Sequence, residues 1–323
     1  ADLAAARGVL FTMLAAWADA GSATEAAGFL AQIEPAATAA DLLNVARIYR
    51  ADVQFDREAA TLAEAGHVGG ALGLAFDGTG AGDDGTAWGG EWLRVDGEGG
   101  FERVGTLRPL PLAGRDQAIR RVWRQGLAAL ELAFEGQPPP EALALLTAPP
   151  DELAKVRRLL QAAGLCPLAH GLGRWFDAAA ALLLPIERIS FSGEAAQALE
   201  ALAADHAPAR LPWRLDALGG RARLDLLPTL RALVEARLAG AAAGPLAAGV
   251  HQAVVDGATA LTQRLRRPDE AVALGGGSFQ NLRLRDGLLA ALAPDGPALH
   301  PATVPANDGG IALGQAAVAA QRL

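Results

Sequence analysis

The sequence is poor in the residues that build disulfides and cysteine-based metal sites. It contains a single cysteine, Cys166, which excludes an internal disulfide and any zinc site made of several cysteines. One unpaired thiol is typical of a protein in a reducing compartment, where it serves as a small core residue. We therefore expect a cytoplasmic protein in which Cys166 is not a nucleophile.

Positive charge and long apolar runs are also scarce. The chain has 28 Lys and Arg against 36 Asp and Glu, a net charge of −8, which argues against a broad nucleic-acid-binding face. The longest uncharged segment, residues 238–255, is interrupted by Gly240, Pro245 and His251. It predicts buried helices joined by a turn instead of a membrane span. Neither nucleic acid nor a membrane is expected as a partner.

Glycine is abundant, with 38 residues, and its densest cluster follows an apolar run. Residues 71–76, ALGLAF, predict a buried strand, and residues 77–91, DGTGAGDDGTAWGGE, predict a turn. Glycine lets backbone N–H groups surround an anion without a Cβ in the way, and Asp77 could hold a cation or a ribose. The alternative interpretation is a Gly/Asp hairpin loop without a ligand.

A second glycine cluster near the end of the chain repeats this pattern. Residues 271–281, AVALGGGSFQN, predict a strand, a glycine turn and the start of a helix. Residues 307–310, NDGG, open a last small-residue helix. Glycine turns after strands in both halves of the chain predict a nucleotide clamped between two lobes.

The wider pattern predicts an α/β protein with a large helical insertion. We predict a helical leader over residues 1–64 and a two-lobed nucleotide-binding domain over 65–323. Strands are expected between 71 and 105, and helices dominate from about 116 to 265. The glycine loops of this domain lie at 76–91, 275–281 and 307–310.

Five motifs carry a resemblance to a known family. They are AFDGTGAGDDGTAWGGEWL, GRWFDAAAALL, ISFSGEAAQALEALA, VALGGGSFQN and PANDGGIALGQA, in this order along the chain. Together they resemble the C-terminal catalytic domain of the hydrogenase maturation carbamoyltransferase HypF, from about Val53 to the C terminus. The resemblance implies a two-lobed actin/hexokinase-type ATPase fold, related to the tRNA threonylcarbamoyltransferases.

The resemblance also implies a function. Such a domain binds ATP or carbamoyl adenylate and transfers the carbamoyl group to the C-terminal cysteine of a HypE-type acceptor protein. A separate YrdC-like domain or chain supplies the adenylate. The alternative is a catalytically degenerate HypF-like paralogue that acts as a nucleotide-binding or docking scaffold. The sequence leaves open whether this chain is a fragment or a stand-alone protein.

Site residues follow from the resemblance, position by position. The implied roles are phosphate binding by Asp77, Gly78, Thr79 and Gly80; ribose and adenosine binding by Gly173, Asp177, Gly193 and Glu194; a second nucleotide loop of Gly276, Gly277 and Asn281; and metal ligation by Asp308. No catalytic residue is assigned. His170 borders the predicted adenosine pocket, and His251 is interpreted as a packed structural residue.

One departure from the family pattern affects the metal. The histidine ligands expected on a helix are replaced by Phe55 and Ala59, neither of which can bind a metal. Asp56 and Glu58 could supply oxygen ligands instead. If they do not, Asp308 is the one ligand that this chain is expected to provide to a divalent metal, whether iron, zinc or magnesium.

Overall fold

The computed structural model describes residues 53–67, 69–82, 84–96, 100–162 and 164–322. The helices predicted for residues 1–52 lie outside the described residues. The helices are α1 Val53–Glu64, α2 Asp116–Arg120, α3 Trp123–Ala133, α4 Pro140–Leu143, α5 Pro150–Gln161, α6 Leu172–Leu183, α7 Glu194–Ala203, α8 Leu227–Leu238, α9 Ala243–Leu265, α10 Leu282–Leu292 and α11 Ile311–Arg322. The strands are β1 Ala71–Ala81, β2 Ala87–Val95, β3 Phe101–Leu107, β4 Leu110–Pro111, β5 Leu168–Ala169, β6 Arg214–Leu218, β7 Arg221–Asp225, β8 Ala271–Gly275 and β9 Ala298–Leu299.

All described strands belong to one mixed sheet, in the order β6-β7-β3-β2-β1-β8-β9, with β4 and β5 attached beside β2. The central strand β1 pairs antiparallel with β2 and parallel with β8, with Ala71 opposite Ala271 and Ala75 opposite Gly275. Parallel neighbours end at the same edge of a sheet. The two predicted glycine turns therefore leave the sheet side by side.

Helices cover both faces of the sheet. Along β1, Leu72, Leu74 and Phe76 enter the larger apolar cluster, whereas Ala71 and Ala75 enter a smaller one on the opposite face. This alternation is the period of two expected of a strand. Because both faces of its first six residues are buried, the run 71–76 is apolar throughout, as the sequence predicted.

The face of the sheet that carries the smaller apolar cluster is covered by α1 and α11, which pack closely against each other. A Cβ on Gly314 would lie 1.6 Å from the Asp56 carbonyl oxygen, so the two helices meet backbone to backbone. The Glu58 side chain packs on Gly73 and Gly275 of the two central strands. α1 thus lies against the same sheet as the rest of the domain, and the domain boundary at residue 64 stays a prediction.

Two local differences from the sequence interpretation stand out. The segment in which helices were predicted to dominate, 116–265, also contains the hairpin β6–β7, in which Gly219 and Gly220 adopt φ of 59° and 81°. Two residues with positive φ match the turn that joins twisted antiparallel strands. The predicted loop after residue 76 is in part strand, because β1 continues to Ala81. Among the described residues, no helix is long and apolar enough to cross a membrane.

Candidate functional site

The first glycine turn is a bulge near the end of β1. Phe76 pairs with Gly90 and Gly80 pairs with Trp88, so residues 77–79 lie opposite a single residue of β2. Extra residues on one strand leave the hydrogen-bond ladder and bend the strand. This bulge turns the start of the segment away from the sheet and toward the end of β8.

The second glycine turn follows β8 and touches the first. Gly276 has φ of 107°, and a Cβ there would lie 2.3 Å from the carbonyl oxygen of Phe76. A Cβ on Gly277 would lie 2.9 Å from Oδ1 of Asp77. Only glycine fits at the first position, because any side chain would collide with the backbone of the central strand.

The N terminus of α6 presses on the first turn as well. A Cβ on Gly171 would lie 2.0 Å from the carbonyl oxygen of Gly78, and one on Gly173 would lie 2.8 Å from the Gly78 Cα. Each missing side chain allows the helix to start against the bulge. The first turn of α6 therefore reaches the same point as both glycine turns.

A cavity of about 640 Å³ opens where these segments meet. Its walls are the two glycine turns, the first turns of α6, α7 and α10, and residues 307–308. The N-terminal end of a helix carries unpaired N–H groups and a partial positive charge. The ends of α6 and α7 favour an anionic ligand, whereas the first N–H groups of α10 already have acceptors on Glu200 and Asn281.

Most of the predicted site residues lie in this wall. Eight of the twelve line the cavity: Asp77, Gly78, Gly173, Asp177, Gly193, Gly277, Asn281 and Asp308. The other four do not. Thr79 is exposed elsewhere on β1, and Gly80 is paired with β2. Glu194 accepts a hydrogen bond from Ser190 Oγ at 2.7 Å, and Gly276 packs behind the wall.

Arg174 and Asp177 form a buried ion pair in the cavity wall. Nη2 of Arg174 lies 3.0 Å from Oδ2 of Asp177, and the two side chains are 6% and 3% exposed. Burial raises the pKa of Asp177, and the neighbouring guanidinium only partly offsets this. Nε and Nη1 of Arg174 have no hydrogen-bond partner among the described residues. A ligand oxygen in the cavity would satisfy a donor that is otherwise costly to bury.

The remaining carboxylates of the cavity also have partners. Glu200 Oε1 accepts from the backbone N–H of Leu282 at 2.8 Å and so caps α10. Asp77 and Asp308 both contact the guanidinium of Arg57. Each of these carboxylates therefore has an ionic or hydrogen-bonding partner, although the cavity wall carries four carboxylates against two guanidinium groups.

Asn281 is held in place by two neighbours. Its Oδ1 accepts from the Leu284 N–H at 2.9 Å, which caps α10, and its Nδ2 lies 3.0 Å from Nε2 of His251. Nδ1 of His251 donates to the Ala247 carbonyl at 2.8 Å, so Nε2 accepts the amide proton. Burial lowers the pKa of His251, which keeps the ring neutral. His251 is buried outside the cavity and orients a residue that lines it.

A buried polar network lies behind the first glycine turn. Glu91 accepts from the Gly90 N–H at 2.6 Å and from Arg103 at 3.0 Å, while Thr106 Oγ1 lies 2.8 Å from Nδ1 of His170. Burial raises the pKa of Glu91 to about 7 and lowers the pKa of His170 to about 4. His170 belongs to this network and does not line the cavity.

The residues around Asp308 do not fit a resident metal ion. Nη1 of Arg57 lies 2.5 Å from Asp77 Oδ2, and Nη2 contacts Asp308 Oδ1. A divalent ion about 4 Å from that guanidinium would be repelled by about 8 kcal/mol at an effective dielectric constant of about 20. In the part of the chain that the structure describes, no group of three or more His, Cys, Asp or Glu could hold a metal.

The alternative oxygen ligands are engaged elsewhere. Asp56 Oδ2 accepts from Gln315 Nε2 at 3.0 Å, which ties α1 to α11. The carboxylate of Glu58 lies against Gly275, where a Cβ would meet its Oε1 at 2.5 Å. Ala59 is buried in the smaller apolar cluster.

Sequence reasoning missed the two arginines of the site. Arg174 precedes Asp177 by three residues on a predicted helix, a spacing that indicates a possible pair. No local pattern identifies Arg57, because its partner Asp308 lies 251 residues away along the chain.

Fold and site together define an α/β domain in which glycine turns and helix N termini meet at one cavity. A family model described as "Carbamoyltransferase, Kae1-like Domain, second subdomain" matches residues 73–315. The carbamoyltransferase HypF2 of Cupriavidus necator is 40% identical over 296 residues, which cover 82% of this chain and 35% of the relative. The carbamoyltransferase HypF of Rhodobacter capsulatus is 43% identical over 255 residues, covering 77% of this chain and 32% of the relative.

A solved structure agrees with these relatives. The crystal structure of full-length HypF in the phosphate- and nucleotide-bound form superposes with a TM-score of 0.74 at 29% identity, covering 83% of this chain and 35% of that one. The chain therefore belongs to the HypF carbamoyltransferase family. It spans about a third of the length of the relatives it matches here.

Proposed function

We propose that this chain is the nucleotide-binding part of a carbamoyltransferase of hydrogenase maturation, with ATP or carbamoyl adenylate in the 640 Å³ cavity. A cavity of this size is in the range of small-molecule sites, roughly 300–1,000 Å³. The single observation that carries the proposal is the buried Arg174, whose Nε and Nη1 have no hydrogen-bond partner among the described residues. It lies in the cavity wall beside Gly78. A phosphate is the ligand that best satisfies such a guanidinium.

The proposed ligand has a definite orientation. Its phosphates lie at the two glycine turns, near Gly78, Gly277 and Arg174. Its nucleoside lies toward α7, along Gly193 and Gln197, which also line the cavity. The positive ends of α6 and α7 stabilise the negative charge.

The proposed reaction is transfer of the carbamoyl group from the adenylate to a thiolate. The thiolate attacks the carbamoyl carbon and a C–S bond forms while the C–O bond to the phosphate breaks. AMP leaves with that electron pair, and the helix N termini stabilise its phosphate. We assign the acceptor thiolate to the C-terminal cysteine of a HypE-type protein, and the supply of adenylate to a YrdC-like domain or chain.

The thiol of this chain is unsuited to be that nucleophile. Cys166 is half-buried, its Sγ lies 3.7 Å from the Leu159 carbonyl oxygen, and burial raises the pKa of the thiol. A raised pKa lowers the fraction of reactive thiolate.

The two-lobed actin/hexokinase-type arrangement belongs to this proposal. The described residues share one sheet, and the matching family model is that of a second subdomain. In contrast to the sequence prediction of both lobes within 65–323, we therefore propose that the facing lobe comes from outside the described residues. Such a lobe would close the open side of the cavity over the nucleotide.

A second candidate is a catalytically degenerate HypF-like scaffold that binds a nucleotide or docks a partner. The observation that favours it is Arg57, which occupies the space between Asp77 and Asp308. A scaffold would keep the cavity without completing the transfer.

Calorimetric titration of the full chain with ATP and ADP tests the binding proposal. We expect saturable binding that weakens at least tenfold in Arg174→Gln, since the guanidinium contact is lost. The control is Lys155→Gln, which alters an exposed ion pair and should leave the affinity unchanged. Absence of binding to the wild-type chain would overturn the nucleotide site.

Transfer is tested separately by adding a YrdC-like domain, carbamoyl phosphate, ATP and a HypE-type acceptor. Mass spectrometry of the acceptor should detect a carbamoylated C-terminal cysteine that depends on this chain. Nucleotide binding without any transfer would identify the scaffold instead.

A further inference from the structure

Arg57 joins three separate segments of the chain through one buried guanidinium. It projects from α1, contacts Asp77 in the first glycine turn at 2.5 Å and contacts Asp308 ahead of α11. Its side chain is 3% exposed, whereas that of Asp308 is 79% exposed. The cation thus lies on the protein side of the cavity, with the carboxylates between it and solvent.

The charge of this group is permanent. A guanidinium is not deprotonated in proteins, and its planar fork can hold two carboxylates at once. Burial lowers the pKa of Arg57, but Asp77 and Asp308 offset that effect and leave the pKa above its ordinary value. The pair of carboxylates is therefore bridged by a cation at every physiological pH.

α1 holds the guanidinium in a fixed place. Asp56 accepts from Gln315 of α11 at 3.0 Å, and the absence of a Cβ on Gly314 lets the two helix backbones touch. The positions at which the resemblance implies metal-binding imidazoles, Phe55 and Ala59, lie two residues to either side of Arg57. The disagreement with the family pattern is thus local to one turn of helix.

We propose that Arg57 is the resident cation of this site, holding Asp77 and Asp308 together without a metal ion. Arg57 acts as a positioning residue, because it fixes the two carboxylates and reaches no ligand itself. The inference stands on the contacts of Arg57 alone and does not rest on the proposed nucleotide.

The inference predicts a gain of metal binding when the arginine charge is removed. In Arg57→Gln, the carboxylates of Asp77 and Asp308 face each other without a cation. A divalent ion can then bind between them, with their oxygen atoms as ligands. The variant Arg57→Lys keeps the charge and should stay indifferent to metal. The double variant Arg57→Gln with Asp308→Asn loses one carboxylate and should lose the new metal response.

The experiment measures thermal unfolding of the full chain with EDTA, with Mn²⁺ and with Zn²⁺, together with the metal content of the purified protein. The wild-type chain should contain no stoichiometric metal, and its midpoint should not change with chelator. Arg57→Gln should unfold roughly 5–15 °C lower, because breaking a buried pair is costly, and Mn²⁺ should restore part of the loss. The exposed pair Lys155–Asp151 provides the control variant Lys155→Gln, with little change under any condition.

Three results would overturn the inference. One is wild-type protein that carries a stoichiometric metal and loses it in Asp308→Asn. Another is equal stabilisation of the wild type and Arg57→Gln by the same ion. The third is an Arg57→Gln variant as stable as the wild type. If Arg57→Gln does not fold, two other measurements decide whether Arg57 or a metal ion holds the carboxylates. They are the metal content of the wild type and the metal response of Arg57→Lys.

Discussion

Replacing Gly276 by alanine tests whether contact between the two glycine turns shapes the site. The native residue has φ of 107°, in a region that L side chains rarely adopt. A Cβ there would lie 2.3, 2.7 and 3.0 Å from the carbonyl oxygen, carbonyl carbon and nitrogen of Phe76. All three are backbone atoms of β1, which is paired on both sides by β2 and β8. The strand cannot move aside without breaking its hydrogen bonds.

The expected loss combines two effects. A strained backbone conformation costs about 1–3 kcal/mol, and forcing extra volume into a packed site costs about a further 1–3 kcal/mol. We therefore expect Gly276→Ala to lower the free energy of unfolding by about 4 kcal/mol. That is a large part of the roughly 5–15 kcal/mol that stabilises a typical domain.

Gly240 provides a matched control. It has φ of 91°, and a Cβ there would meet no atom within 4 Å. Gly240→Ala introduces backbone strain without a steric clash, and it should lower the free energy of unfolding by about 1–2 kcal/mol. Guanidinium denaturation of both full-length variants measures the difference, and ATP titration measures the site. We expect at least a tenfold loss of affinity in Gly276→Ala only. Equal losses of stability and equal affinities in the two variants would refute the steric argument.

Three further predictions concern buried polar groups. On folding, the pKa of His170 falls from 6.5 to about 4, so the unfolded chain takes up the proton first. This group therefore costs stability as the pH falls from 6.5 toward 4, by up to about 3 kcal/mol, and His170→Asn should reduce that loss. The pKa of Glu91 rises from 4.5 to about 7, so its contribution is present below 4.5 and is lost as the pH rises to 7; Glu91→Gln should remove it. Denaturation at several pH values gives the difference in free energy of unfolding between the wild type and each variant. Plotted against pH, this difference should have opposite slopes for His170→Asn and Glu91→Gln, and parallel slopes would contradict the burial argument. Asn281→Ala should cost about 2–3 kcal/mol, because α10 loses its cap and Nε2 of His251 loses its donor. A change below about 0.5 kcal/mol in guanidinium denaturation would show that neither bond stabilises the fold.

Much of the fold could be predicted because local pattern decides it. The apolar run at 71–76 predicts a strand, and the positions of Asn281 and of the glycines predict where the following helix begins. The hairpin at 214–225 was missed, although its Gly219-Gly220 pair between alternating residues is a local signal of a tight turn. That error lay in the interpretation, since the information was present in the sequence.

Side-chain period and backbone freedom are local properties, so most strands and helices and the turns that need glycine could be predicted from the residues alone. The packed fold was needed to show that β1 lies beside β8, that Gly276 touches Phe76, and that Arg57 reaches both Asp77 and Asp308. Those contacts join residues up to 251 positions apart. They depend on how whole helices and strands pack, because a side chain's partners follow from the placement of entire elements and not from its own neighbours in the chain.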